Sequence, residues 1–521
     1  MAHPRAYLAS NPQVGGIVDH LMKTAGAHLT HAARAPREVD RMGKSWALLV
    51  RLSEALEELF GISREVLVYS TPFAQLQTQT IDQVLTSIAS APRMIETEIA
   101  FVVTHDPDAV SKLRDWSVDE AHGIVLIPLV PAQLEARFKG NSRPDAVLPQ
   151  LLADWLFSRD LYEERGPAVG GQFFGRRDAL HSLTRAVSEG SSVGVFGLRK
   201  IGKTSLLRRV VDQVRGENQL VVFYDLQLSS AAESAGHVAR ALRKNLMAEA
   251  GARGPEFAGR VRSMLGSVDD AWRPGTESAE IVRLADGLTD LLDSCPDLRV
   301  GVILDEIEVV FGVNREPATA ALDFFRALRG VSQQTGRLSL TLAGVNATPS
   351  EVSMLSGEDN PLYSFLSRRY LGPLSPDECA EMIQRIGKKM GLRWGPQPTA
   401  ILTEAVGSHP LLARLAGSDI ARVVERPTAV DEGDVHAAIA AFPNEHNDVL
   451  LQMVESLETY YPEELTLLRL VAADDEMSEE WAETYPAALN HLREYGILEA
   501  EPSRKIRLPV VAEWLGREAG V

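Results

Sequence analysis

The stretch Ser192-Val-Gly-Val-Phe196-Gly197-Leu198-Arg199-Lys200-Ile201-Gly202-Lys203-Thr204-Ser205 decides the fold of the middle of this chain. Ser192–Phe196 reads as a buried strand, and Thr204–Val214 carries the apolar spacing of a helix. Between them, Gly197 to Thr204 satisfies every fixed position of Gly-x-x-x-x-Gly-Lys-Thr. Glycines let backbone N–H groups curl around an anion, and the helix N-terminus adds a partial positive charge. Lys203 is placed to reach β- and γ-phosphates, and Thr204 to bind Mg²⁺. A glycine-rich strand-to-helix turn without a ligand is the bland alternative. Gly197, Leu198, Arg199, Lys200, Ile201, Gly202, Lys203, Thr204 and Ser205 are therefore candidate ATP/ADP contacts.

Outward from this loop, strand and helix alternate. Leu220–Tyr224, Val300–Leu304, Leu338–Ala343 and Tyr370–Leu374 read as strands, and Ala231–Ala250 and Thr319–Val331 as helices. Near-continuous apolar strands between helices predict an α/β fold with a parallel sheet covered on both faces. Residues 251–280, rich in Gly, Arg and Asp, read as an irregular excursion.

Val300-Gly-Val-Ile-Leu304 ends in Asp305-Glu306. Two carboxylates at the end of a buried strand are costly unless a cation or a water uses them. Asp305 suits a Mg²⁺ shell, and Glu306 suits polarisation of an attacking water. Asn346, at the end of a neighbouring strand that also carries Thr341, reads as a γ-phosphate sensor or as a turn and cap residue. Arg368 and Arg369 are candidates for an arginine finger, which is worth about 10³ to 10⁵ in rate where one is used. Surface arginines are common, and the sequence does not choose between the two.

Four regions follow along the 521 residues. Residues 1–160 read as a small α/β domain: a helix from Trp46 to Leu59 ending at Gly61, then apolar runs Val66–Tyr69, Ile99–Val103 and Ile124–Leu129. A Gly/Pro-containing linker at 165–171 precedes the core at 172–374. Residues 375–445 read as an all-helical lid. Residues 446–521 read as short helices followed by a two-strand ribbon, the pattern of a winged helix.

Composition bounds the rest. No run of 18 apolar residues is present, and the N-terminus lacks the pattern of a signal peptide, so a cytoplasmic protein is expected. The two cysteines, Cys295 and Cys379, supply neither a disulfide framework nor a four-cysteine zinc site, and read as buried inert thiols. The net charge of −18 disfavours nucleic acid as a partner.

Gln172-Phe-Phe-Gly175-Arg-Arg-Asp178, the glycine loop, Leu304-Asp305-Glu306, Arg369-Tyr-Leu-Gly-Pro-Leu374 and Gly407-Ser-His-Pro410 occur in that order. With the C-terminal pattern, residues 172–521 resemble the AAA+/STAND superfamily and the archaeal-type ATPases within it. The resemblance implies ATP/ADP and Mg²⁺ as cofactors. It implies that Phe174, Gly175 and Arg176 lie over the adenine, and that His409 and Pro410 of the lid face the nucleotide. It also implies a switch in which nucleotide state sets conformation or assembly, including ATP-dependent homo-oligomers. The lid segment itself carries no arginine, which departs from the AAA+ pattern of a second sensor.

The C-terminal region is poorly suited to DNA. Residues 451–521 hold fifteen acidic and six basic residues. Asp474, Asp475, Glu476, Glu479, Glu480 and Glu483 cluster near its start. The candidate recognition helix Ala487–Tyr495 carries Arg493 as its fixed cation, and the wing carries Arg504, Lys505 and Arg507. A protein-contacting winged helix is the reading preferred. In the N-terminal domain, Asp106 and Asp108 follow Ile99–Thr104 in a manner reminiscent of a nuclease, but no Glu-x-Lys partner follows, and His105 reads as a solvated loop residue. A sensor or partner-docking domain is expected there, with an effector enzyme as the alternative. For the whole chain the readings are a signalling or defence switch, a DNA-remodelling or replication-initiator ATPase, and a nucleotide-clamped scaffold with little turnover.

Overall fold

The computed structural model describes residues 4–35, 44–91, 94–118, 124–140, 143–163, 166, 173–216, 218–228, 235–268, 276–311, 319–474, 479–500 and 505–519. Gln172, most of the linker, Asp475, Glu476 and Arg504 lie outside the described residues. The chain divides into two compact units. The first is Met1–Glu163 with Ile383–Pro398 and Gly417–Asp431; the second is Glu164–Met382 with Thr399–Ala416 and Glu432–Val521.

The first unit holds a five-stranded sheet, β1 (His28–Arg34), β2 (Trp46–Arg51), β3 (Val66–Ser70), β4 (Ile99–Val103) and β5 (Val125–Leu129), in that spatial order. β1–β2 and β2–β3 pair antiparallel, and β3–β4 and β4–β5 pair parallel. The three parallel strands are buried at every position, which is why they read as unbroken apolar runs. The helix expected over Trp46–Leu59 is in fact β2 followed by a helix, Glu54–Phe60. Trp46, Leu49 and Val50 fit helical spacing, yet the run around them is apolar on both faces, and sheet pairing claims it. Gly61 does close the helix, at φ 67.

Asp106 is buried and accepts from Leu76 N at 2.7 Å, Asp108 N at 2.9 Å and Lys112 Nζ at 2.7 Å. Burial pushes its carboxyl up, but these bonds outweigh it and hold the pKa below the ordinary value. It anchors a loop. Its neighbours His105 and Asp108 are exposed.

The second unit is built on β6 (Val193–Phe196), β7 (Gln219–Asp225), β8 (Arg299–Asp305) and β9 (Leu338–Gly344). A two-residue hairpin, β10 (Met354–Leu355) with β11 (Glu358–Asp359), precedes β12 (Ser367–Tyr370). The main sheet has the order β12-β6-β9-β8-β7 and is parallel throughout. Its last strand is Ser367–Tyr370, not Tyr370–Leu374, and Pro373, with no N–H to give a ladder, does not extend it. Within 251–280, expected to be an irregular excursion, Pro255–Leu265 and the start of Glu277–Ser294 are helices. Val261 and Leu265 are buried, with Phe257 and Met264 packed beside them. That i, i+4, i+7, i+8 spacing was hidden by the surrounding Gly and Arg.

The region expected to form a helical lid, residues 375–445, contains helices Pro376–Lys389, Pro396–Ala405, Pro410–Val423 and Glu432–Glu445. It is not purely helical: β13 (Leu392–Trp394) and β14 (Thr428–Val430) form a parallel pair too short to show a period. Both belong to the first unit, where Tyr162 is fully buried and donates to Ile383 O at 2.6 Å. A Cβ at Gly417 would lie 3.0 Å from the Tyr162 ring, so any larger residue there would have to push the ring aside.

Beyond the lid, the chain forms helices Asn447–Tyr460, Pro462–Asp474, Glu479–Thr484 and Pro486–Glu494, and ends on Pro509–Ala519. The expected ribbon is reduced, among the described residues, to one antiparallel bridge between Leu498 and Ile506. Cys379 is buried, and burial pushes its thiol up to about 12. Cys295, expected to be buried, is half-buried because it terminates the helix Glu277–Ser294.

Candidate functional site

The sheet order sets the ends of β6, β9 and β8 side by side, and the loops after these three strands carry the candidate residues. After β6 the glycine loop turns into the helix Lys203–Val214. Gly202 stands at φ 100, a conformation open to glycine. Leu198 and Ile201 are buried and pin the loop from below, while Arg199 and Lys200 are exposed. Ser205 is buried in the first helical turn. Lys203 is only 5 % exposed, and its Nζ donates to Gly197 O at 2.9 Å and Leu198 O at 3.0 Å. Burial pushes its pKa down, and Glu308, Glu306 and Asp305 oppose that by favouring the charge.

Thr204 Oγ1 donates to Asp305 Oδ2 at 2.6 Å. Asp305 is fully buried, which pushes its pKa up, while the Thr204 bond pulls it down. A hydroxyl and a carboxylate facing each other are hard oxygen donors and fit Mg²⁺. Among the described residues no three His, Cys, Asp or Glu side chains gather as a metal cage. An ion held at Thr204 and Asp305 therefore needs phosphate oxygens and water to complete its shell. Glu306 is half-buried, stands at φ 57, and its N–H is bonded to Asp305 Oδ1 at 3.1 Å.

A third carboxylate, Glu308, was missed by sequence reasoning. It is 8 % exposed, and its Oε1 accepts from the N–H groups of Val345 and Asn346, the latter at 2.7 Å. Burial pushes its pKa up, and Lys203 works against that. The available signal was the run Asp305-Glu-Ile-Glu308, an extra acid directly after a buried strand. Asn346 lies at the end of β9, and its Oδ1 accepts from Thr348 N at 3.0 Å. It is thus a turn and cap residue, with the side-chain NH₂ still a donor. Thr341 lies inside the sheet, paired with Val193 and Ile303, and is 1 % exposed.

Arg176 stands at φ 61 and donates to Gly372 O at 2.6 Å, Pro373 O at 3.3 Å and Ile201 O at 3.1 Å. It ties the glycine loop to the segment after β12. Burial lowers its pKa to about 10, with Glu378 opposing and Arg507 assisting. Gly175 stands at φ 63 against Glu378, and Phe174 is half-buried. His409 is fully buried, and burial beside Arg176 pushes its pKa down to about 3, so it is neutral. Its Nε2 has no partner among the described residues. Pro410 opens the helix Pro410–Val423.

Arg368 and Arg369 lie on the edge strand β12. Arg368 pairs with Glu351 at 3.3 Å. Arg369 is exposed, with no ion pair among the described residues.

The loop after β9 meets the C-terminal helices. Tyr461 Oη accepts from Ala347 N at 2.7 Å and lies 2.8 Å from Tyr495 Oη, which donates to Val345 O at 2.5 Å. His491 bridges Glu464 at 2.6 Å and Glu351 at 3.4 Å. Glu351 and then Glu464 raise its pKa to about 10, above the ordinary 6.5. With the folded value raised, this contact contributes fully below pH 6.5 and is lost as pH rises from there towards 10. The melting-temperature gap between wild type and His491→Gln is expected to narrow steadily between pH 6.5 and 9. A gap constant over that range would mean that His491 is neutral in the fold. Arg507, read from the sequence as part of the wing's small basic group, donates to Leu374 O at 3.0 Å.

A five-stranded parallel sheet, a glycine loop capped by a lysine and an acid pair at the end of β8, one strand removed from β6, define a P-loop NTPase. Residues 167–417 match the family described as Novel STAND NTPase 1. The chain's fold is similar to a Walker-type ATPase of Pyrococcus abyssi, at 16% identity and TM-score 0.47, covering 68% of this chain and 99% of that one. It is similar to the ORC2 protein of Aeropyrum pernix at 16% identity and TM-score 0.44, over 70% and 99% of the two chains. The Holliday junction branch migration motor RuvB of Thermotoga maritima matches at 13% identity and TM-score 0.33, over 66% and 95%. No curated protein matches the chain. Among the described residues no helix is long and apolar enough to cross a membrane.

Proposed function

We propose that the chain is an ATP-binding and ATP-hydrolysing switch whose nucleotide state controls conformation or assembly, in bacterial signalling or defence. One observation carries the reading. The segment 345–351 is bonded on one side to Glu308, beside the phosphate-binding lysine, and on the other to Tyr461, Tyr495 and His491 of the C-terminal helices. A change at Asn346 on γ-phosphate binding therefore has a bonded route to the C-terminal region.

In this reading the glycine loop and Lys203 hold the phosphates of ATP or ADP, and Thr204 and Asp305 hold Mg²⁺. The ion would supply charge neutralisation on the phosphate oxygens. Glu306 accepts a proton from the attacking water. Asn346 donates to the γ-phosphate from its side-chain NH₂. Phe174, Gly175, His409 and Pro410 border the base, and Arg176 braces that wall. Arg369, exposed on the edge strand, is the arginine available to a neighbouring copy. The C-terminal helices act as a protein-contacting winged helix, and the N-terminal sheet as a sensor or partner-docking domain. Engagement of Arg507 within the chain and the net charge of −18 both disfavour DNA.

The test is the mass of the protein in solution with ADP, with ATP, and with ATP in Glu306→Gln. Larger species are expected with ATP, most stably in the variant, and the monomer with ADP. A nucleotide shifts such an equilibrium only as far as it prefers one state. One mass and one shape in all three conditions would contradict the switch.

A further inference from the structure

We propose that Glu308 is a positioning residue: its carboxylate holds the end of β9 so that the Asn346 side-chain NH₂ faces the γ-phosphate. The inference rests on the reading of Asn346 given above. Ile307–Val309 forms a single 3₁₀ turn directly after Glu306, and this turn sends the Glu308 side chain back under β9. One carboxylate oxygen, Oε1, takes both the Val345 and Asn346 N–H groups. These are the first two amides beyond the strand, where the sheet ladder no longer supplies acceptors.

The other oxygen, Oε2, is buried and has no hydrogen-bond partner among the described residues. A bare buried carboxylate oxygen is expensive. An ordinary loop tie would not need it, since a backbone carbonyl or a neutral side chain can accept two N–H groups. The Lys203 ammonium opposes part of this cost, since its field favours ionised Glu308 as Glu308 favours charged Lys203. Glu308 thereby joins the phosphate-binding lysine to the backbone of the sensor residue.

Asn346 is fixed twice. Glu308 holds its N–H, and Thr348 N–H holds its Oδ1 at 3.0 Å. The second bond sets the orientation of the amide and leaves Nδ2 as the outward donor. A donor set in place before the reaction incurs no reorganisation when charge develops.

The experiment compares the affinities of a non-hydrolysable ATP analogue and of ADP. The chains are wild type, Glu308→Ala, Glu308→Asp, Asn346→Ala and the double variant Glu308→Ala/Asn346→Ala, with ATP turnover measured alongside. Wild type is expected to prefer the analogue. Glu308→Ala is expected to lose about tenfold or more of that preference, as for one lost charge-assisted contact, and to keep its ADP affinity. Retained ADP affinity shows that the loop is folded. Glu308→Asp keeps the charge but withdraws the oxygen by one bond length, and is expected to lose part of the preference even if the alanine variant does not fold. The double variant is expected to be no worse than Asn346→Ala, because Glu308 acts through Asn346. Full preference in Glu308→Ala or Glu308→Asp overturns the proposal, and so do equal, additive losses in the double variant. Absence of turnover in wild type would instead sink the hydrolysis reading, while the affinity ratio still judges Glu308.

Discussion

Glu306→Gln is expected to keep ATP and to lose its hydrolysis, by about 10² to 10⁴-fold in the single-turnover rate. The replacement has the same shape and leaves the fold undisturbed, because Glu306 is half-buried and its structural bond is made by its own N–H to Asp305. What goes is the proton acceptor. Thr204, Asp305 and Lys203 are untouched, so affinity for ATP stays near wild type or rises. Rapid mixing of a radiolabelled nucleotide with excess protein measures the step directly. Hydrolysis at the wild-type rate would show that Glu306 does not polarise the water.

The second large effect belongs to Lys203→Ala. The ammonium is buried and capped by two loop carbonyls, and the charges of Glu308, Glu306 and Asp305 favour its protonated form. Its removal would take away the proposed phosphate contact and the positive charge that opposes these three acids. A charge-assisted bond is worth about 1.5–3 kcal/mol, so affinity for ATP and ADP is expected to fall roughly tenfold to 100-fold or more. Hydrolysis should fall to background. Nucleotide binding stabilises the folded chain by mass action. Thermal shift therefore reads the loss: wild type gains melting temperature on addition of nucleotide and Lys203→Ala does not. An unchanged shift in the variant would separate Lys203 from the phosphates.

The parallel sheet of the second unit was legible because burial on both faces leaves a coarse record, an apolar run ending at a polar turn. Gly202 and Lys203 were legible because the backbone geometry around a phosphate tolerates few alternatives. Glu308 was harder to see, since its role depends on a 3₁₀ turn that no spacing announces. The Tyr461–Tyr495 pair and its bonds to Val345 and Ala347 link residues more than a hundred positions apart, and a single sequence carries no trace of that pairing. Asn346 shows a third case: the turn-capping role anticipated for it is present, and it occupies only the oxygen of the amide. Trp46–Leu59 misled because a short run apolar on every face satisfies helix and strand spacing alike.

Tyr162 sets a limit on how this chain can be cut or recombined. The residue closes the N-terminal stretch, yet its ring lies against Gly417 and its hydroxyl is bonded to Ile383, both supplied by lid segments far along the sequence. A fragment beginning at Phe173 would keep those segments and lose the aromatic plug, baring a greasy notch and an orphaned carbonyl. The front module is therefore not a detachable cassette. Grafting a foreign one in its place would need residues 383–398 and 417–431 to travel with it, three separate pieces of chain at once.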